Sequence, residues 1–485
     1  MATIDEIRKT RIKKLRIIEK AGFNPYPGKS KRTHKISEVL IDFSKLKKAG
    51  KKIVLAGRIR LLRPHGKLCF LHFEDGSAKM QALLAQNDLG EKNYKFFLDN
   101  FDIGDFIEIQ GKLFKTRTKE KTIRVSNYRI LTKSLRPLPE KWIGLKDEEE
   151  RYRKRYLDLL FNPELKQMFI KKALFWNSMR EFLQKKGFLE VETPVLETTA
   201  GGADAEPFIT HHNALDIDVY LRISMGELWQ KRLMVAGFDK TFEIGRQFRN
   251  EGISKEHLQD YTQMEFYWAY ADYEMGMRLV EQMYKYVIKK TFGLLKFDIF
   301  GSKIDFNKKW QKIDYGQSIF DKFKIDIDKT SKKQVEEKLK GLKVKYDRNG
   351  SLGRLIDALW KECRKQVAGP AFLIGHPVSV SPLAKRDEKS HNRVQRFQVI
   401  LAGSEMGNGY SELNDPLDQA ERFKEQAKMR VAGDKEAQMH DKDFVKALEY
   451  GMPLTCGFGV SERLFSFLMN KPVRECVLFP LMRPK

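Results

Sequence analysis

The sequence predicts a multi-domain α+β protein, with a small β-barrel near the N-terminus and a larger unit built on an antiparallel sheet flanked by helices. Three observations carry this expectation. Between about residues 51 and 133, five short apolar runs alternate with glycine turns, the pattern of a small all-β unit. Over residues 163–186 the apolar spacing becomes helical and stops at Gly187, a residue type suited to a helix C-terminus. Beyond it, strand-like and helical stretches mix through the rest of a 485-residue chain, long enough for two or three cores.

The elements follow in order. Arg8, Lys9, Arg11, Lys13, Lys14, Arg16 and Lys20 crowd one segment, with Ile4, Ile7, Leu15 and Ile18 available for an apolar stripe. This reads as a basic amphipathic helix in an N-terminal extension over residues 1–45. It suits RNA phosphates; a membrane-surface helix has the same pattern, and nothing else in the chain supports a membrane. Pro25, Pro27 and Gly28 end that helix. Runs at 53–57, 68–73, 79–84, 106–109 and 123–125, with a helical patch near 92–100, suggest an oligonucleotide-binding (OB-fold) barrel over residues 46–135. Phe70 falls beside Arg63 and Lys67. That supplies a stacking platform with cations, although position alone allows Phe70 to be barrel core equally well.

Arg136–Pro139 opens a linker over residues 136–160. In the helix that follows, Phe169, Ala173, Trp176, Met179 and Leu183 are the expected buried positions. Residues 273–370 read as mainly helical, with Ser331 and Gln334 placed as a capping box and Gly341 as a stop.

A net charge of +26 favours a polyanionic partner. No apolar run is long enough to span a bilayer and no secretory pattern is evident, so a cytoplasmic location is expected. Cys69, Cys363, Cys456 and Cys476 lack zinc-ligand spacing and read as reduced, buried thiols.

Chemistry concentrates in three ordered blocks. These are Gly187 to Pro194; Phe248-Arg249-Asn250-Glu251-Gly252 continuing through Tyr261 to Tyr267; and Gly403 to Asp415 with Gly457 to Leu464. An arginine ending an apolar strand can take a phosphate bidentately. Alone, Arg-Asn-Glu-Gly would more often be a salt-bridged hairpin, and the C-terminal acids would be surface groups. Together the blocks resemble motifs 1, 2 and 3 of class II aminoacyl-tRNA synthetases, in wording nearest to the bacterial lysyl branch. Runs at 136–139, 155–159, 207–215 and 479–484 match as well, so the resemblance covers the chain from about residue 50 to its end.

The resemblance implies an OB-fold anticodon-binding domain followed by a class II catalytic domain over residues 161–485, in which 273–370 is an insertion. It implies ATP-dependent activation of L-lysine and transfer to tRNA(Lys), in a homodimer formed through the helix and strand near 164–194. Arg249 and Arg463 take catalytic positions on the phosphates; Glu251, His257 and Tyr261 complete the ATP site. Glu227, Glu265, Tyr267, Asn408 and Tyr410 form the lysine pocket, Glu405 and Glu412 hold Mg²⁺, and Arg63 and Phe70 meet the anticodon. Glu405 and Glu412 are seven apart, an odd spacing that a regular strand sends to opposite faces, so Gly407-Asn408-Gly409 must bulge if both are to converge.

Three departures accompany the match. Arg222 to Trp229 is one residue longer than the family pattern, which bears on the register of Glu227. Gly457 to Arg463 is one residue shorter, with Ser461 and Glu462 substituted. Glu256 stands where the family tends to carry arginine, and is expected to point away or to pair with Arg246 or Arg249. The alternatives are an asparagine- or aspartate-specific synthetase, disfavoured by Glu265; a lysyl transferase acting on a protein, disfavoured by the barrel; and a catalytically impaired RNA-binding paralogue.

Overall fold

The computed structural model describes residues 3–139, 147–252, 254, 256–346, 350–431 and 437–484. The expected linker falls in part on 140–146, outside the described residues. The chain divides into two compact units, Met1–Glu148 and Glu149–Lys485.

In the first unit, β1 (Ile53–His65), β2 (Leu68–Glu74), β3 (Lys79–Ala85), β4 (Phe106–Lys115) and β5 (Lys121–Thr132) close a barrel in the order β1-β2-β3-β5-β4. Strand alternation decides the two readings of Phe70. Cys69, Leu71 and Phe73 point inward and are buried, whereas Phe70 lies partly exposed on the outer face, directly across from exposed Arg63.

Helix α1 (Ile4–Lys20) opens with a Thr3–Glu6 capping box and buries Leu15 and Ile18, while Ile4 stays exposed. Two of its basic residues hold it in place. Arg11 donates to the carbonyls of Ile103, Ser134 and Arg136, and Lys14 pairs with Asp102 at 2.8 Å. Arg8, Lys9, Lys13, Arg16 and Lys20 remain exposed. Ile36, Val39 and Phe43 share the barrel's core, so the segment expected as an extension is built into the barrel unit. Beneath α1 lies a fully buried cation: Lys133 Nζ meets Asp102 at 2.6 Å, Asp105 at 2.7 Å and the Asn100 carbonyl at 2.8 Å.

The second unit opens with α2 (Pro163–Lys185), N-capped by Asn162. Its buried positions include Met168, Phe175, Met179, Phe182 and Leu183, so Met179 and Leu183 are buried as expected while the other three expected positions fall one helical track over. Ala173 is exposed and Phe169 and Trp176 only partly buried. The helix is apolar over more than half its circumference, so periodicity alone admits either track. The outward track leaves Ile170 and Leu174 exposed.

The following elements matter for the site: β6 (Leu189–Glu190), α3 (Glu227–Val235), β7 (Lys240–Phe248), β8 (Asp260–Ala269), α4 (Tyr273–Phe292), β9 (Gln311–Asp314), α5 (Leu352–Arg364), β10 (Ala371–Ile374), β11 (Arg396–Leu401), β12 (Ser404–Ser411) and β13 (Thr455–Ser461). The strands form one eight-stranded sheet in the order β9-β10-β11-β12-β13-β8-β7-β6. It is antiparallel through its middle, and parallel pairs β9/β10 and β7/β6 sit at its edges.

Residues 273–370 contain the expected helices and the Ser331–Gln334 capping box. They also contain a hairpin, Lys296–Ile299 with Ser302–Asp305, and β9, which joins the main sheet. These strands are four residues each, too short for alternation to announce them. Helices α2 and α4 cover one face of the sheet around Phe266, Phe397 and Phe458, each such ring contributing roughly 2–3 kcal/mol by burial. The other face is left for chemistry.

Because removing one partner from a buried charge cluster costs about 3–5 kcal/mol, Lys133→Ala is expected to destabilise the barrel unit by about that much. Amide hydrogen exchange across residues 53–132 reads it, and unchanged protection would refute the assignment.

Candidate active site

The open face of the sheet carries a cavity of about 590 Å³. Every residue the sequence pointed to in the larger unit lines it: Glu227, Arg249, Glu251, His257, Tyr261, Glu265, Tyr267, Glu405, Asn408, Tyr410, Glu412 and Arg463. Arg63 and Phe70 lie on the barrel.

A bulge makes this convergence possible. Between the pairs Ile400–Glu405 and Gln398–Asn408, the two residues Met406 and Gly407 stand opposite the single residue Val399. The extra residue rephases the strand, so Glu405, Asn408, Tyr410 and Glu412 all border the cavity while Met406, Gly409 and Ser411 are buried. Gly407 adopts φ +151°, and a Cβ there would stand 2.5 Å from the Phe458 ring. Glu227 is the first residue of α3 and faces the cavity.

The floor of the cavity is acidic. Glu227, Glu265, Glu412 and one cation, Lys231, stand there, and all four are at most 5% exposed. Lys231 Nζ lies 2.7 Å from Glu227 and 2.5 Å from Glu412. Tyr410 donates its hydroxyl proton to Glu227. Glu265 accepts from the Met225 amide and the Tyr267 hydroxyl at 3.0 Å each, and from Gln263 at 2.5 Å. Burial, with Glu227 nearby, pushes the Glu265 carboxyl up to about 7. Burial likewise raises Glu412 well above the ordinary carboxylate range, against the pull of Lys231. Burial opposes the charge on Lys231, yet Glu227 and Glu412 outweigh it and hold its pKa above the usual lysine value. Three carboxylates against one ammonium leave room for a second cation. Glycine makes the room: a Cβ at Gly457 would fall 2.1 Å from Glu412 Oε1 and 2.7 Å from the Tyr267 ring.

Towards the other end, Arg249 donates to the Ile223 carbonyl at 3.2 Å and its guanidinium lies 5.8 Å from the Tyr261 ring centroid. Gln247 donates to the Tyr261 hydroxyl. His257 is held in the loop by a 2.7 Å hydrogen bond between Nδ1 and Ser254 Oγ. Glu256 pairs with neither Arg246 nor Arg249. It pairs with Arg463, and Arg246 pairs with Asp260. The reason is reach: Arg463, past the end of β13, faces the loop between β7 and β8, while Asp260 at the start of β8 claims Arg246. Arg463 Nε is buried with no hydrogen-bond partner among the described residues. Glu462, substituted in the shortened block, is buried, accepts from the Thr262 amide at 3.1 Å and pairs with Lys172 of α2.

Among the described residues there is no cluster of three or more candidate metal ligands. Glu405 pairs with Arg364 and Glu412 with Lys231, and both line the cavity. Both are hard oxygen ligands of the type magnesium takes, few per ion, with the shell completed by water and phosphate oxygens.

Sequence reasoning missed Lys231 and Arg364, which pair with the cavity-lining Glu227, Glu412 and Glu405, and Gln263 and the face of α5 (Arg354, Asp357, Lys361), which border the cavity. The spacing of Glu227 and Lys231, four apart on a helix, was an available signal for the first. The others meet the site only through tertiary packing.

An antiparallel-centred sheet of this order, with an arginine at the end of one hairpin strand and another past the last strand, defines the class II aminoacyl-tRNA synthetase fold. Residues 147–483 match the family model of tRNA synthetases class II (D, K and N), and residues 53–131 that of the OB-fold nucleic acid binding domain. The chain is 44% identical to the lysine–tRNA ligase of Thermosipho africanus over 99% of its own length and 97% of that protein's. It is 45% identical to that of Carboxydothermus hydrogenoformans over 99% of each chain. With the Thermotoga maritima lysine–tRNA ligase the identity is 42%, over 99% and 97%. The chain belongs to the lysine–tRNA ligase family.

The Gly457 contact gives a test. Gly457→Ala is expected to lower stability by about 1–3 kcal/mol through overpacking, whereas Gly252→Ala, with nothing within 4 Å of its Cβ position, is expected to be neutral. Equal thermal midpoints for the two variants would refute the tight floor.

Proposed function

We propose that the chain activates L-lysine with ATP to give lysyl-adenylate and pyrophosphate, and then transfers the lysyl group to the 3′ end of tRNA(Lys). The observation that carries this is the buried floor, in which Glu227 and Glu412 share one lysine and Glu265 beside them has no cationic partner among the described residues. A substrate ε-ammonium supplies the missing positive charge. A neutral or acidic amino acid leaves the carboxylates uncompensated, and desolvated charges discriminate strongly on that basis.

In the first step the lysine carboxylate attacks the α-phosphorus; the new P–O bond forms as the bond to pyrophosphate breaks. Arg249 bridges carboxylate and α-phosphate, and Arg463 meets the far phosphates, so that two anions are held in line and their charge is offset. Tyr261 stacks on the adenine, Glu251 accepts from its exocyclic amine, and His257 assists the phosphates. Tyr267, Asn408 and Tyr410 wall the lysine pocket, with Asn408 fixed by Arg396 Nε at 2.8 Å. Glu405 and Glu412 would hold Mg²⁺, which supplies further charge neutralisation on the phosphates. In the second step the terminal hydroxyl of the tRNA attacks the adenylate carbonyl and AMP departs; no side chain is required as a base.

Outward-facing Phe70 and Arg63 support anticodon binding by the barrel. Exposed Ile170 and Leu174 on α2, with exposed Leu189 and Leu196 beyond it, support a homodimer through this face. Among the described residues no helix is long and apolar enough to cross a membrane, and a cytoplasmic location suits the substrates. The pairing of Glu256 with Arg463 favours one second reading, a catalytically impaired RNA-binding paralogue.

Pyrophosphate exchange into ATP without tRNA separates the readings: exchange is expected with lysine and not with asparagine or aspartate, and silence with all three supports the paralogue. Glu265→Gln is expected to raise the KM for lysine at least about tenfold, the cost of one charged contact, with the KM for ATP within twofold; equal effects would undo the pocket. With the Glu265 carboxyl pushed up to about 7 by burial, the ionised form binds the ammonium, so lysine affinity rises as pH climbs through that value and binding releases a proton. A flat calorimetric profile between pH 6 and 8 would contradict this. Phe70→Ala is expected to impair tRNA charging while leaving pyrophosphate exchange intact; loss of both would return Phe70 to a structural role.

A further inference from the structure

In the shortened block the two substituted residues, Ser461 and Glu462, each take a backbone partner with a side chain. Where β13 ends, Glu462 stands opposite Thr262 of β8, one step beyond the last ladder pair, Ser461 with Gln263. The Glu462 amide donates to the Thr262 carbonyl at 2.9 Å, as an antiparallel rung requires. The return bond departs from the ladder: the Thr262 amide donates at 3.1 Å to Glu462 Oε1 instead of the Glu462 carbonyl. That carbonyl accepts from the Ser466 amide at 3.2 Å, in the first turn of α6 (Arg463–Leu468). Ser461 acts alike, its Oγ accepting from the Arg463 amide at 3.3 Å. Strand thus becomes helix within one residue, and the Thr262 and Arg463 amides both keep a partner. Glu462 does this while 1% exposed, a position that a carboxylate tolerates only when paired. Lys172 of α2 pairs with its Oε2 and donates on to the Cys476 carbonyl at 2.7 Å, and Arg246 stands 3.9 Å from Oε1. Glu462, Arg463 and Tyr261, the neighbour of Thr262, all line the cavity.

We propose that Glu462 is a positioning residue for the nucleotide: its two-point hold on Thr262, backed by Lys172, fixes where Arg463 leaves the sheet and so compensates for the residue the block lacks. This rests on the phosphate role given to Arg463 above. Reach, not charge, is the property that matters. Aspartate keeps the charge, but one methylene shorter it cannot span Thr262 and Lys172 together. Glutamine keeps the reach and an acceptor oxygen, and a methionine at position 172 removes the cation that would otherwise lie buried without its carboxylate. Replacing both members of a buried pair is tolerated where removing one is not.

The test is calorimetric binding of α,β-methylene-ATP and of AMP to the full chain and to four variants: Glu462→Ala, Glu462→Asp, Lys172→Met/Glu462→Gln, and Arg463→Ala with and without Glu462→Asp. Glu462→Ala and Glu462→Asp are expected to weaken the triphosphate analogue about tenfold, as for one misplaced charged contact, and AMP less than about twofold. Lys172→Met/Glu462→Gln is expected to recover most of that loss. In the Arg463→Ala background, Glu462→Asp is expected to add less than about twofold, because the hold acts through that arginine. Should Glu462→Ala fail to fold, the aspartate and the double variant carry the comparison. The proposal falls if Glu462→Asp binds the analogue as tightly as the parent, or if AMP weakens in parallel, as general loosening would make it. It falls also if the double variant loses as much as Glu462→Asp, or if the loss persists without Arg463. A parent protein that binds the analogue but shows no lysine-dependent exchange would overturn the proposed function and leave the Glu462 comparison standing.

Discussion

A buried imbalance of charge organises the larger unit. Three carboxylates and one ammonium cannot be removed from water cheaply, and they survive only because the surroundings are built around them. Tyr267, Tyr410, Gln263 and the Met225 amide donate to the oxygens, and α3 delivers Glu227 and Lys231 from one face, four residues apart. The glycines of β13 let β8 and β12 bring their side chains over it without collision. On the opposite face of the same sheet, Phe266, Phe397 and Phe458 pack against α2 and α4. The hydrophobic face supplies the stability that the acidic face consumes.

The cavity then runs from negative to positive. At the floor, carboxylates exceed cations; elsewhere its wall carries Arg249 and Arg463, the latter already holding an acid. Such a gradient orients a ligand with an ammonium at one end and phosphates at the other before any specific contact forms. Arg463 is paired with Glu256 rather than left bare, so binding there is an exchange of partners. Desolvation of this arginine is in part already met before a phosphate arrives.

Much of this was legible in the sequence, and the limits have physical causes. The barrel strands, α2 and the residues of the cavity could be read because glycine turns, helical period and ordered motifs are local signals. Phe70 needed only strand phase, which two short runs could not supply with certainty. On α2, Met179 and Leu183 were read correctly, and Phe169, Ala173 and Trp176 fell off the buried track because the helix carries apolar residues on both sides. Four-residue strands such as β9 carry too few alternations to register. The Glu256–Arg463 pair and Arg364 belong to another class: each acts through a partner far away in sequence, and no pattern in neighbouring residues encodes which carboxylate an arginine will meet.

The bulge at Met406–Gly407 has a consequence for how this gene can vary. Upstream and downstream of it, β12 presents opposite parities to the cavity: Glu405 on one phase, Asn408, Tyr410 and Glu412 on the other. A codon lost at this point would straighten the strand and turn either Glu405 or the whole downstream set into the aromatic core, and a codon gained elsewhere in the strand would do the same. Point changes along β12 are therefore local events, whereas any change in its length is global. The strand behaves as a reading frame of its own, and tolerance to insertion and deletion should be sought in the loops that flank it.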